Sequence, residues 1–371
     1  MKLGILGGGQ LGRMMMPTLR ELNIEHSVLD PHPTCPCHQV ADKHVVGDFR
    51  DYDTVINFGK NVDTITIEIE QVNVDALEEL QKQGKTVWPS PAMIRLIQNK
   101  HEQKKFFIKH NIPTSDFMFV PDHTKLKNHT DFLPFAQKAC TGGYDGQGVM
   151  LHRKKISLEE GLKTESIIER LVDIEQELSV IVARNKSGEI KTFPTVGQTF
   201  DPAANLVKFV YAPADINIAI DKECQNIAKD LAEKFELVGL LAVEFFLNKD
   251  GKILVNEVAP RCHNSGHWTQ NGCTTSQFEQ LIRAVTGLPL GKTNITKPTV
   301  MVNLLGAPNY KGKPNTDFFT DVLAIADTHI HWYGKTESKP MRKMGHVNVC
   351  GNTIIEATQN AEKVFNIANA T

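Results

Sequence analysis

The sequence predicts a three-part α/β chain: an N-terminal domain on a parallel sheet over 1–91, a mixed α/β domain over 92–291, and a small β-rich C-terminal domain over 292–371. Three observations carry this. The length of 371 residues suits two or three domains. Short apolar runs alternate with helical stretches up to Pro89-Ser90-Pro91, the βαβ rhythm of a parallel sheet. After Gly287-Leu288-Pro289-Leu290-Gly291, short apolar runs are separated by Gly, Pro and Asn, which reads as strands and turns.

Taken in order, residues 2–6 form a strand, Gly7-Gly8-Gly9-Gln10-Leu11-Gly12 a turn, and Arg13 to about Asn23 a helix. A second strand, His26 to Leu29, ends at Asp30. Strands at Val45-Val46 and Thr64 to Ile69 alternate with helices around 51–60 and 74–83. Residues 92–110 read as a basic amphipathic helix carrying Lys100, Lys104 and Lys105, closed by Asn111-Ile112-Pro113. There follow a Gly-rich loop at 142–148, strands near 166–170 and 177–183, a helix near 221–236, a hairpin at 240–258 and a helix at 275–286.

Composition narrows the function. Lys and Arg number 41 against 43 Asp and Glu, which argues against a nucleic-acid binder. The seven Cys are scattered with no CxxC pair, so neither a disulfide framework nor a zinc ribbon is expected, and a reducing compartment is. The N-terminus turns Gly-rich before a signal-peptide core forms, and the run Gly239 to Leu247 is interrupted by Glu244; the expectation is a cytoplasmic protein without a membrane partner.

Five segments bear chemistry. Gly7-x-Gly9-x-x-Gly12 lies between strand and helix, with Asp30 following Gly12 by 18 positions. That is Rossmann-like spacing for NAD, for another phosphate group held by backbone donors at a helix N-terminus, or for a structural turn. Thr141 to Gly148 holds four glycines just after Lys138; it closes over a triphosphate or is a plain hairpin turn, and it lacks the P-loop spacing. In the hairpin, Glu244 and Glu257 fall on one face of otherwise core strands, opposite each other if Asp250-Gly251 is a two-residue turn and diagonal neighbours if the loop has four residues. Such a pair repels unless a cation bridges it, and magnesium carrying nucleotide phosphates suits two hard oxygen ligands. Arg261-Cys262-His263-Asn264-Ser265-Gly266-His267-Trp268 could hold a small anion, while its Cys and His lack zinc spacing. Met341-Arg342-Lys343 could grip a phosphomonoester or be a solvated cluster.

Together these segments resemble the ATP-grasp superfamily and, within it, the 5-(carboxyamino)imidazole ribonucleotide synthases of purine biosynthesis. The resemblance rests on Gly4 to Met14, Gly143 to Gly148, Asn256 to Trp268, Thr275 to Glu279 and Arg283 to Gly291. It implies an ATP-grasp architecture and a cytoplasmic homodimer that makes ADP, phosphate and the N-carboxylated ribonucleotide from ATP, bicarbonate and 5-aminoimidazole ribonucleotide. ATP would contact Lys100, Lys138, the lid Gly143, Tyr144, Asp145, Gly146, Gln147, Gly148 and Val149, the segment Glu169, Arg170, Leu171 and Val172, and also Glu177, Phe200, Asn256 and Glu257. Magnesium would sit on Glu244 and Glu257. Arg261, His263 and Asn264 would orient bicarbonate; Gln10, Leu11, Glu70, Tyr144, Arg342 and Lys343 would frame the ribonucleotide, with the 7–12 loop donating to its phosphate.

The chain departs from the family pattern at Gly197-Gln198-Thr199-Phe200, where the family reads roughly Glu-Asn-x-His, and at Gln71, Val149 and Met341. Two other readings compete. A formate-dependent glycinamide ribonucleotide transformylase shares lid and carboxylates but is not expected to carry His263 to Trp268. An NAD-dependent dehydrogenase built on Gly7 to Asp30 leaves the paired carboxylates unexplained.

Overall fold

The structure, a computed structural model, describes residues 1–143, 148–153, 161–201 and 206–369. Its first five strands, β1 (Lys2–Leu6), β2 (Glu25–Asp30), β3 (Lys43–Val46), β4 (Thr64–Ile67) and β5 (Thr86–Val87), form a parallel sheet ordered β3-β2-β1-β4-β5. The chain winds outward from β1 on one side and returns on the other, so a crevice opens at the carboxyl ends of β1 and β4. Helices α1 (Gln10–Glu21), α2 (Tyr52–Gly59) and α3 (Val74–Lys82) make the crossovers; Asp51 and Asn73 cap the last two. Helix α1 starts three residues before the expected Arg13. Gly12 lies inside it, where a Cβ would come within 3.0 Å of Cys37 Sγ.

Residues 92–110 form two helices where one was expected: α4 (Pro91–Ile97) and α5 (Lys100–Lys109). Asn99 restarts the helix by accepting hydrogen bonds from the His101 and Glu102 N–H groups, the strongest kind of N-cap. Lys100 and Lys104, four apart, thereby lie on one face of α5.

Strands β6 (Phe117–Val120), β7 (Phe135–Ala139), β8 (Val149–His152) and β9 (Ser166–Arg170) form a small antiparallel sheet ordered β6-β9-β7-β8. The large sheet takes β10 (Ile174–Arg184), β11 (Ile190–Thr192), β12 (Val196–Asp201), β13 (Leu206–Ala212), β14 (Gly239–Asn248), β15 (Ile253–Ala259), β16 (Thr299–Leu305), β17 (Thr328–Trp332) and β18 (Lys343–Cys350). Its order is β15-β14-β10-β12-β13-β16-β18-β17, with β11 beside β10. The strands after 298 therefore extend this sheet, β16 pairing with β13.

Helices α6 (Ile218–Lys234), α7 (Thr269–Gly272), α8 (Gln277–Thr286), α9 (Phe319–Leu323) and α10 (Ile354–Asn369) pack against it. Helix α10 was not anticipated, although Ala357, Ala361 and Val364 line up at helical spacing and bury against Val300, Val302 and Val347. One core cluster joins Leu11, Met14 and Met15 of α1 with Trp268, Phe278 and Tyr333. Through it residues of the N-terminal, middle and C-terminal segments pack together.

Candidate active site

Glu244 and Glu257 face each other across β14 and β15, though not by the expected turn. Leu247 pairs with Ile253 and Phe245 with Val255; the Asn248 N–H bonds the Lys252 carbonyl across a longer turn in which Gly251 has φ +79°. That register alone would set Glu244 against Asn256. A bulge takes Asn256 out of the pairing and restores the opposition.

Lysines converge on this point from two other elements. Lys100 on α5 bonds Glu257, and Lys138 on β7 reaches Asn256 Oδ1 at 2.8 Å and Glu169 Oε1 at 3.2 Å. Lys100 holds the Glu257 carboxyl well below the usual range, whereas burial and the neighbouring Glu257 and Glu177 push Glu244 up. Burial would depress Lys100, yet Glu257 and the other carboxylates around it raise its pKa above the ordinary value. Burial also pushes Glu177, on β10, up to about 7. Carboxylates that resist simultaneous ionisation side by side need another cation. Among the described residues no group of three or more His, Cys, Asp or Glu side chains is arranged to hold a metal. A divalent ion on this pair would complete its shell with water or phosphate oxygens.

The segment after β15 borders the pair. His263 Nε2 lies 3.6 Å from Glu244 Oε1, its Nδ1 2.9 Å from Ser265 Oγ, and Gln277 fixes both its backbone N–H and its carbonyl. Arg261 Nε reaches Glu70 Oε1 at 2.8 Å, an ion pair between the large sheet's rim and the first domain. Asn264 is locked in a reciprocal amide pair with Asn303 of β16 at 2.8 and 3.0 Å. His267 and Trp268 are buried and belong to the scaffold.

The 7–12 turn spends backbone donors on the protein itself. The Gly7 N–H goes to the Leu29 carbonyl, the Gly8 N–H to Asp30 Oδ2 at 2.8 Å, and the Leu11 N–H to Glu68 Oε1 at 3.1 Å. A Cβ on Gly9 would sit 2.4 Å from Glu68 Oε1, so the turn's glycines make room for a carboxylate of the protein itself. Burial pushes Glu68 up to about 7 against the pull of Arg261 and of the Leu11 and Gly9 N–H groups. With Asp30 spent on the turn and Glu68 at the helix N-terminus, the Gly7, Gly8 and Leu11 N–H groups are already taken by acceptors of the protein itself. Gln10, half-buried at the start of α1, is what the turn still presents.

Of the remaining expected residues, Tyr144, Asp145, Gly146 and Gln147 lie outside the described residues. Gly143 and Gly148 close the loop's ends: a Cβ on Gly148 (φ +79°) would meet Gly143 Cα at 3.3 Å. Val149 pairs with Lys138. The Leu171 N–H bonds the Pro134 carbonyl, Val172 follows half-buried, and the Arg170 guanidinium stacks 4.5 Å over Phe132. Phe200 is half-buried on β12, facing Val207 across a bulge. Arg342 Nη1 donates to the Glu337 carbonyl at 2.7 Å, and Lys343 lies close enough to Glu244 and His267 to act on both electrostatically.

Sequence reasoning names neither Glu68 nor Asn303, and names Lys104 only as one of the lysines of a basic amphipathic helix. Glu68 has a signal, a carboxylate ending an apolar strand; Asn303 has none.

Family models match along the chain: the ribonucleotide synthetase preATP-grasp domain over residues 1–98, the ATP-grasp domain over 105–278 and the phosphoribosylaminoimidazole carboxylase C-terminal domain over 299–360. The chain is 38% identical over 351 residues to the N5-carboxyaminoimidazole ribonucleotide synthase of Bacillus subtilis, covering 93% of this chain and 90% of that protein. The N5-carboxyaminoimidazole ribonucleotide synthetase structure from Thermotoga maritima superposes with a TM-score of 0.91 at 41% identity, covering 99% of this chain and 98% of the other. The Aspergillus clavatus N5-carboxyaminoimidazole synthase structure, in complex with ADP and 5-aminoimidazole ribonucleotide, does so with 0.90 at 33%, covering 100% and 99%. The phosphoribosylaminoimidazole carboxylases of Vigna aconitifolia and Candida albicans are longer; the chain spans 65% of each.

Proposed function

Since this chain belongs to the N5-carboxyaminoimidazole ribonucleotide synthase family of ATP-grasp enzymes, its reaction is the ATP-dependent carboxylation of 5-aminoimidazole ribonucleotide in purine biosynthesis, and we propose that its centre is the Glu244–Glu257 pair. The observation that carries this assignment is the convergence of Lys100 and Lys138 on two apposed carboxylates, next to Arg261 and His263. Magnesium on Glu244 and Glu257 supplies charge neutralisation to the nucleotide phosphates.

Lys100 and Lys138 bind those phosphates together with the 143–149 lid, while the 169–172 segment, Glu177 and Phe200 line the nucleoside. Arg261 and His263 hold bicarbonate for attack of its oxygen on the γ-phosphorus, ADP leaving; Asn264 orients that segment through Asn303. The ribonucleotide's amine attacks the carboxyl carbon of the resulting carboxyphosphate, the bond from that carbon to the phosphate oxygen breaks, and the amine's proton leaves with the phosphate. Gln10, Leu11, Glu70 and Tyr144 frame the ribonucleotide, and Arg342 and Lys343 bind its phosphate. Seven free cysteines support the cytoplasm as the location.

ADP release with each substrate omitted in turn tests the reading: release requires both the ribonucleotide and bicarbonate, and release indifferent to either rejects it. Replacing Lys138 by Ala removes a charge-assisted bond worth ~1.5–3 kcal/mol, so the apparent KM for ATP rises roughly tenfold or more while the ribonucleotide KM holds. A selective loss on the ribonucleotide side would move Lys138 to the other subsite. Arg342→Ala has the opposite signature, a loss of about tenfold in ribonucleotide affinity by calorimetric titration with ATP affinity unchanged. Equal ribonucleotide affinities for variant and parent would leave Arg342 as a turn-stabilising residue bonded to Glu337.

A further inference from the structure

We propose that Lys104 is a positioning residue for ATP: it neutralises Glu169, so that Lys138 keeps its charge for the nucleotide phosphates. The inference rests on the placing of ATP beside Lys138.

Lys104 lies one turn after Lys100 on the inner face of α5, with its side chain only 2% exposed. A lysine so deeply buried carries a large desolvation cost and needs a partner to stay charged. Its Nζ lies 3.3 Å from Glu169 Oε2 and donates to Thr114 Oγ1 at 2.5 Å. Thr114 passes the contact on to the Val255 carbonyl, next to Asn256, and Ser115 Oγ donates to the same Glu169 oxygen at 2.8 Å. The other carboxylate oxygen of Glu169 faces Lys138 at 3.2 Å. One buried carboxylate thus stands between two buried ammonium groups, Lys104 with its side chain 2% exposed and Lys138 with its side chain 11% exposed.

Which ammonium group satisfies Glu169 decides what this does. With Lys138 as its one cation, Glu169 would hold that ammonium group to itself and away from a phosphate. With Lys104 and Ser115 on its other oxygen, Glu169 is satisfied without Lys138, which also reaches Asn256 and is left for the phosphate. Burial would push the Glu169 carboxyl up, yet Lys138 and Lys104 hold it down at about 2; burial pushes Lys104 down to about 8 against the pull of Glu169. A merely structural salt bridge predicts a general loss of stability from its removal. A positioning role predicts a loss confined to ATP, and one that depends on Glu169.

The test is calorimetric titration of magnesium-ATP, and separately of 5-aminoimidazole ribonucleotide, into the parent enzyme, K104M, E169Q and K104M/E169Q. In K104M, ATP affinity falls about tenfold or more, equivalent to ~1.4 kcal/mol, while ribonucleotide affinity stays within about twofold. In the E169Q background, where Lys138 has no carboxylate to satisfy, the same Lys104 change costs less than about threefold, the non-additivity expected of coupled neighbours. Equal ATP affinity in K104M and parent, or an equal loss in both backgrounds, overturns the proposal. If K104M fails to fold, the double variant, which leaves no unpaired charge between Lys104 and Glu169, decides: ATP binding more than about tenfold weaker than in E169Q overturns it. Failure of the parent to bind ATP would overturn the placing of ATP itself, a result distinct from any of these.

Discussion

Glu257→Gln lowers turnover at least about a hundredfold at saturating magnesium, because a metal that steadies developing phosphate charge is worth several kcal/mol and each ~1.36 kcal/mol is a decade in rate. The substitution keeps the size and planarity of the side chain, so the hairpin and its bulge survive. Two things are lost together. The magnesium site drops from two carboxylates to one, and Lys100, which bonds Glu257, loses its counter-charge and is left to compete with the metal for the phosphates. The measurement is ADP release across a magnesium titration, alongside a circular-dichroism spectrum matching the parent's. Glu244→Gln distinguishes the two losses, since it removes a metal ligand without touching the Lys100 ion pair. Near-parental turnover of Glu257→Gln at high magnesium would reject the metal assignment outright.

Trp268→Ala costs about 3–5 kcal/mol of stability, the range for deleting a fully buried aromatic side chain and leaving its cavity. The Trp268 side chain is 1% exposed, and the cluster it anchors contains Leu11 and Met15 of α1, Phe278 of α8 and Tyr333 from the C-terminal segment. A cavity there is lined by three parts of the chain, so relaxation in one cannot fill it. Urea denaturation followed by tryptophan-independent circular dichroism reads the loss. Because the same cluster seats α1 against the Arg261 segment, ribonucleotide binding weakens as well. A change below about 1 kcal/mol would mean that Trp268 is dispensable packing and would remove the link between core and crevice.

These residues mark the border between what was legible and what was not. The Glu244–Glu257 apposition was readable because strand alternation puts residues on alternating faces, and a carboxylate pair in an apolar strand stands out against its neighbours. The route to it was not readable: a longer turn and a bulge at Asn256 compensate each other, and turn length shifts register by amounts that local composition does not distinguish. In the same way Asn256 to Trp268 is conspicuous as a run of polar and ring-bearing residues, yet nothing local separates His263, beside Glu244, from His267, buried against Phe278 and His346.

By itself the sequence determined the βαβ start, the carboxylate hairpin and the polar segment that follows it. All of these are written in short-range periodicity and residue type. The tertiary structure alone decided where long-range partners fall. The Gly7–Gly12 turn has the spacing of an anion site, but Glu68 closes it from 57 positions beyond Leu11. Lys104, which looks like one more cation on a wet helix face, is buried against a carboxylate on β9. A backbone donor or an ammonium group binds whichever acceptor the folded chain brings within about 3 Å, and that choice is made by packing between elements that no local pattern relates.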